Sequence, residues 1–217
     1  MYKRITKKQS SIARQRATKI IEDVRKILKA KYVFAHRLVG SGAWGTMMED
    51  ESGEYDLDYQ LLLTVNSPVY KQAKVFPPPT EIKQDFLSAF EQVKKGQEIF
   101  QNSTTAITLI NKDGKPYHID FVIIKTFPRN DFIIRRNNKK ENPSKNEFTW
   151  NELPQWNDAY NFFRALSPKE KQHLSENIII PKKQIEKAKP ENDPSKISSS
   201  HIFVREVNNY RCQQKKK

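Results

Sequence analysis

Apolar residues recur every three or four positions near the start of the chain: Ala17, Ile20, Ile21, Val24, Ile27 and Leu28, with Lys and Arg between them. That spacing predicts an amphipathic helix over Ser11–Lys29. The pattern then shortens. YVFAHRLV (32–39) and LDYQLLLTV (57–65) are apolar runs of strand length, the second mostly buried, and NSPVYKQAKVFPPP (66–79) reads as a loop. Thr80 is placed to cap a helix from Glu81 to Lys95, with Phe86, Leu87, Phe90 and Val93 on its buried side and Gly96 at its end. TTAITLI (104–110) and PYHIDFVII (116–124) form a hairpin around NKDG, where Gly114 supplies a positive φ. Residues 127–150 are polar and turn-rich, with one short strand around Phe132–Ile134. A helix begins at Asn157, carrying Ala159, Tyr160, Phe162, Phe163 and Leu166. SPKE (167–170) is a capping box with proline at the first helical position, and predicts a further short helix to about Ser175. Beyond Pro181 the composition turns to Lys, Glu, Pro and Ser, which predicts a linker or mobile tail with HIFVREV (201–207) as a stray strand. The order strand, strand, helix, hairpin predicts an α/β protein: a mixed sheet with flanking helices and a small helical C-terminal part. It divides into a core over 1–126, a reduced helical part over 127–180 and a basic tail over 181–217.

Composition adds compartment and charge. At 217 residues the chain can bury a real core. No apolar run approaches the roughly 20 residues of a membrane-spanning helix, and no apolar segment follows the basic N-terminus as in a secretory signal. Cys212 is the only cysteine, so no internal disulfide forms and a cytoplasmic, reducing compartment is expected. The formal charge of +14 sits at the ends: residues 1–31 carry 11 Lys and Arg against 2 acidic residues, and residues 181–217 carry 10 against 4. Basic ends can meet the phosphates of RNA or of a nucleotide; the other reading is a solvated helix face and a solubilising tail.

The candidate chemistry lies in VGSGAWGTMMEDESGEYDLDYQLLL (39–63), which holds four of the chain's six glycines. Asp56 and Asp58 are one residue apart on a strand, so they share a face, roughly 6.5–7 Å apart. Two ionised carboxylates that close repel, and beside Leu61–Leu63 they call for a cation between them. Hard oxygen donors suit Mg²⁺ or Mn²⁺. Asp120 sits mid-strand among Ile119, Phe121, Val122 and Ile123. If its strand lies beside that of Asp56 and Asp58, three carboxylates converge as in a two-metal site, with Asp120 as base or as orienting ligand. Gly40 and Ser41 follow a strand directly; their amides and the Ser41 hydroxyl can hold phosphate. No Gly-Lys-Ser/Thr follows, so this is not a Walker A loop; nor is it a dinucleotide fingerprint or an EF-hand.

GSGAWGT, GEYDLDYQLLL and HIDFVII together resemble the DNA polymerase β-type nucleotidyltransferases. The spacing from Gly-Ser to Gly-Thr, Tyr-Asp-Leu-Asp and Ile-Asp-Phe-Val is similar to the CD-NTase-like branch, which holds the bacterial cyclic-oligonucleotide synthases and the oligoadenylate synthetases. The resemblance covers about residues 12–126. It implies that Gly40 and Ser41 bind the triphosphate of an NTP and that Asp56, Asp58 and Asp120 bind Mg²⁺ or Mn²⁺. It also implies transfer of a nucleotidyl group to a hydroxyl acceptor with pyrophosphate release, in a cyclic- or oligonucleotide second-messenger synthase of bacterial or phage defence. Two other readings stand beside it: a toxin-type enzyme modifying tRNA or protein, and a non-catalytic nucleotide or RNA sensor. Members of the branch carry a larger helical lobe than the residues after Phe127 provide.

Several further residues admit a packing and a functional reading. Trp44, Trp150 and Trp156 either pack or stack on a base. His118 shares a strand face with Asp120 and either tunes the site or is an ordinary half-buried histidine. Lys169 and Lys171 either reach a triphosphate or stay solvated. Arg129, Arg135 and Arg136 are candidate phosphate or RNA contacts, and Met47 and Met48 read as packing residues.

Overall fold

The structure, a computed structural model, describes residues 2–112, 114, 116–127, 130–137, 147–153, 157–190 and 192–214. Helix α1 (Ser11–Leu28) buries Ala13, Ala17, Ile20, Ile21, Val24 and Leu28, while Ile27 lies off that stripe and is exposed. Its first neighbours in sequence are a two-residue strand, β1 (Lys3–Arg4), and β2 (Phe34–Val39). The glycine-rich turn closes as a one-turn helix, α2 (Gly40–Trp44), and the chain passes through β3 (Met48–Glu49), which pairs with β1. Strand β4 (Tyr55–Leu63) starts two residues earlier than its apolar run suggests and so includes Asp56. The expected loop at 66–79 contains a short helix, α3 (Pro68–Ala73).

Helix α4 spans Pro79–Gln92. Thr80 is not its cap. Pro79, with φ already helical, begins it, and the Thr80 hydroxyl instead accepts the Phe148 N–H at 2.9 Å. The hairpin is β6 (Ala106–Asn111) and β7 (Tyr117–Thr126), preceded by a strand the sequence did not signal, β5 (Ile99–Asn102). Strand β8 (Asp131–Arg136) pairs with a second unexpected strand, β9 (Phe148–Glu152).

One mixed sheet results, in the order β2-β4-β7-β6-β5, with β8 joined to β7 and β9 to β8. Among the described strands only β4 and β7 run parallel. Along β4 the buried Leu57, Tyr59 and Leu61 alternate with Asp56, Asp58 and Gln60, and along β7 the buried Ile119 and Phe121 alternate with His118 and Asp120. The apolar set packs under α1 and α4, with Ile20, Val24, Phe86 and Phe90 in one core. The intervening carboxylates therefore face the other side of the sheet.

That second side is closed at one end by a helical layer. It comprises α5 (Asn157–Ala165), α6 (Pro168–Leu174), a π-helical turn (Ser175–Ile179), α7 (Ile180–Ala188) and α8 (Ser199–Gln214). The capping box forms as expected: Ser167 accepts from the Glu170 N–H and Glu170 accepts from the Ser167 N–H. The short helix it starts, α6, ends at Leu174 with Ser175 as its C-cap, as expected, and the chain continues through the π turn into α7. The segment 201–207 is not a strand. Ile202, Phe203 and Val207 are buried on α8, and Glu206 takes Lys182 at 2.6 Å and Arg205 at 2.8 Å, so packing and ion pairing override the β-branched composition. Ala159, Phe163, Leu166, Leu174, Ile179, Phe203 and Val207 make a second, smaller core, against which Trp44 packs. Among the described residues no helix is long and apolar enough to cross a membrane.

Candidate active site

The parallel register sets Asp58 directly opposite Asp120 and Asp56 opposite His118. All three aspartates line one cleft of about 270 Å³, together with Gly40, Ser41, Trp44, Thr46, Tyr160, Lys183, Lys187, Ser199, Ser200 and Phe203. The sheet is one wall and helices α7 and α8 are the other.

Each carboxylate is restrained differently. Asp120 accepts a hydrogen bond from the Thr108 hydroxyl at 2.6 Å. Asp56, the most exposed, has the His118 Nδ1 at 3.5 Å from its Oδ1. Asp58 has no hydrogen bond among the described residues and is hemmed in by backbone instead. Gly40 adopts φ +59°, and a Cβ there would stand 2.6 Å from Asp58 Oδ2. The glycine that the sequence offers to phosphate is thus required first by Asp58, which leaves no room for a side chain.

Burial pushes the Asp58 carboxyl up to about 7, and the charges of Asp120 and Asp56 push it the same way. Asp120 is also raised, by burial first, with the Thr108 hydrogen bond opposing. Across the cleft Lys183 is 2% exposed, donates to Thr46 Oγ1 at 3.0 Å, and is pushed down to about 8 by burial and by the charge of Lys187. The carboxylates of the sheet thus face the buried Lys183 and the partly buried Lys187 on α7, so the cleft carries negative charge on one wall and positive charge on the other. The donor set fits a hard divalent cation. Among the described residues no three Asp, Glu, His or Cys side chains converge closely enough to hold an ion by themselves. Mg²⁺ characteristically takes one or two carboxylates and completes its shell with water and substrate phosphate.

No protein-family model and no curated protein sequence matches the chain. Solved structures do. The c-di-GMP synthase CdnE from Capnocytophaga granulosa superposes with a TM-score of 0.59 over 95% of this chain at 14% identity. The Bradyrhizobium diazoefficiens CD-NTase CdnG, in complex with GTP, gives 0.55 over 80% at 15% identity, and Escherichia coli MS115-1 CdnC with ATP gives 0.54 over 95% at 14% identity. The chain has the CD-NTase fold. It spans 61%, 49% and 62% of the length of those three proteins respectively.

On this CD-NTase scaffold the cleft includes residues that sequence reasoning missed. Lys169 and Lys171 do not line it: Lys169 is exposed, and Lys171 donates to the Arg164 carbonyl at 2.7 Å. Lys183 and Lys187 line it instead, one turn apart on α7. One signal was available. Ile179, Lys183 and Lys187 fall at i, i+4 and i+8, so two lysines continue a stripe begun by a buried isoleucine, while Ile185 is 64% exposed. Trp44 packs with Tyr160, Phe163 and Phe203 at ring separations of 5.2–5.6 Å. Trp150 lies under the Lys125 ammonium, 4.6 Å from its ring. Arg136 donates to the Asn102 carbonyl at 2.6 Å, and Arg135 is exposed on β8. Met47 and Met48 are buried. Arg129 and Trp156 lie outside the described residues.

Proposed function

We propose that this protein is a metal-dependent nucleotidyltransferase that moves a nucleoside monophosphate from an NTP to a hydroxyl acceptor and releases pyrophosphate. The observation that carries the reading is the cleft itself, where the Asp58–Asp120 pair on parallel strands faces the buried Lys183 across a space fit for a triphosphate. Asp56, Asp58 and Asp120 would hold Mg²⁺ or Mn²⁺, which when bound offsets the charge of the phosphates and lowers the pKa of a coordinated hydroxyl. The backbone of Gly40, the Ser41 hydroxyl and the ammonium groups of Lys183 and Lys187 bind the triphosphate from the other side. The acceptor oxygen bonds to the α-phosphorus, the bond from that phosphorus to its bridging oxygen breaks, and pyrophosphate leaves. Asp120 is the candidate base for the hydroxyl proton, its raised affinity for protons suiting that task.

The fold shared with a c-di-GMP synthase supports a cyclic- or linear-oligonucleotide signal synthase, of the kind used in bacterial or phage defence, acting in the cytoplasm. The test is incubation with labelled NTPs and Mg²⁺, with and without total tRNA. Small products resistant to phosphatase support a cyclic product. Label on RNA or on protein supports a toxin-like transferase, and nucleotide binding with no product under any condition refutes the enzymatic reading.

A further inference from the structure

We propose that Thr108 is a positioning residue for Asp120, and that a hydroxyl relay, Ser103 to Thr108 to Asp120, selects which carboxylate oxygen is left for a ligand. The inference rests on the reading of Asp120 as a metal ligand given above. Thr108 lies directly opposite Asp120 in the antiparallel β6–β7 register, and its Oγ1 is 2.6 Å from Asp120 Oδ1. Ser103 Oγ lies 3.0 Å from the same Thr108 oxygen.

A threonine hydroxyl has one proton and an ionised carboxylate has none to give. The Thr108 proton is therefore committed to Asp120, and the Ser103 contact is filled by the Ser103 proton. The order of donation is fixed: Ser103 to Thr108, Thr108 to Asp120. Ser103 is itself anchored where β5 turns into β6, its N–H donating to the Ala106 carbonyl at 3.0 Å. Thr108 is β-branched and on a strand, so its χ1 is confined before any ligand arrives. The consequence is an asymmetric Asp120: Oδ1 is engaged, and Oδ2 has no hydrogen bond among the described residues. Asp58 has no such support, so the relay acts on one of the paired carboxylates only.

The test compares Thr108→Val, which removes the hydroxyl at nearly constant shape, with Thr108→Ser, which keeps it, and with Ser103→Ala and Asp120→Asn. Two quantities are read on the full chain: Mn²⁺ affinity by electron paramagnetic resonance with a non-hydrolysable ATP analogue bound, and kcat and KM with Mg²⁺. Thr108→Val should weaken Mn²⁺ binding about 10- to 100-fold, the usual effect of losing an outer partner of a ligand. It should lower kcat with little change in KM, and Thr108→Ser should restore both. Ser103→Ala should show the same effect in weaker form. Wild-type Mn²⁺ affinity in both Thr108→Val and Ser103→Ala, while Asp120→Asn loses it, overturns the relay and leaves the site reading standing. Undiminished Mn²⁺ binding and turnover in Asp120→Asn overturns the site reading and the relay with it.

Discussion

Gly40→Ala tests whether the first glycine of the turn serves the backbone alone or serves Asp58. Two costs are separable. The first is conformational: Gly40 sits at φ +59°, where an L-residue is disfavoured by roughly 1–2 kcal/mol. For a chain of this size each kcal/mol lowers Tm by about 2–4 °C, so the backbone cost is a fall of about 2–8 °C. The second is steric: the new Cβ would stand 2.6 Å from Asp58 Oδ2, whereas ordinary contact begins at 3.4 Å. The carboxylate must retreat, and a displacement approaching an ångström at a reacting centre costs on the order of 100-fold in rate.

Gly45→Ala is the matched control. Gly45 has φ +72° and open space where its Cβ would go. It should lose a similar amount of stability and keep most of its turnover. The assay is differential scanning calorimetry for Tm, with initial rates of pyrophosphate release at saturating NTP and Mg²⁺. Gly40→Ala should lose about 10- to 100-fold in rate beyond Gly45→Ala at comparable Tm. Equal rate losses in the two variants, or a Gly40→Ala protein that turns over normally despite its lower Tm, would refute the claim that this glycine makes room for the carboxylate.

Three further outcomes follow from the same cleft and its surroundings. Asp58→Asn should abolish transfer and raise Tm at pH 8, because a carboxylate lifted to about 7 by burial and by Asp120 is held at a cost to the fold; a lower Tm would contradict that. Lys183→Met should weaken a fluorescent ATP analogue about 10- to 100-fold, the value of a charge-assisted contact to phosphate, and unchanged affinity by titration would remove this lysine from the site. Lys83 is 1% exposed, its ammonium has no hydrogen-bond partner among the described residues, and burial pushes it down to about 7. Between that value and the ordinary 10.5 the unfolded chain binds the proton more tightly, so wild-type stability should rise as pH climbs from 7 toward 10. Lys83→Met should gain about 1–3 kcal/mol at pH 7 in urea denaturation and lose that pH dependence.

How much of this was legible before the structure divides by physical cause. The pairing of β4 with β7 rests on a two-residue period with aspartates placed against apolar neighbours, and such a pattern is costly unless the polar positions share a face and a purpose. The helix stripe of α1 and the capping box of Ser167 and Glu170 are likewise local, and local rules are what sequence displays. The edge strands β5 and β9 are short and half-exposed, so they carry no period to read. Helix α8 was misread because Ile202, Phe203, Val204 and Val207 favour strand in isolation. Only the buried Glu206, held by Lys182 from α7 and by Arg205, and the packing of Phe203 on Trp44 make the helix the better solution.

The same distinction explains why half of the cleft was visible and half was not. An aspartate inside LDYQLLL violates its surroundings and announces itself. A lysine inside IPKKQIEK stands out far less, because its neighbours are lysines too; the i, i+4, i+8 spacing from Ile179 is a weak signal, and its meaning is plain once Lys183 is found inside and Ile185 outside. Buried polarity with exposed apolarity on one helix runs against the stability of that helix, and departures of this kind concentrate where a ligand will later supply the missing partner. For Lys183 the partner within the protein is the Thr46 hydroxyl, a neutral oxygen that satisfies one donor and neutralises no charge. An anionic ligand entering the cleft would do both, so nucleotide binding should stabilise the α7 wall as well as fill the site.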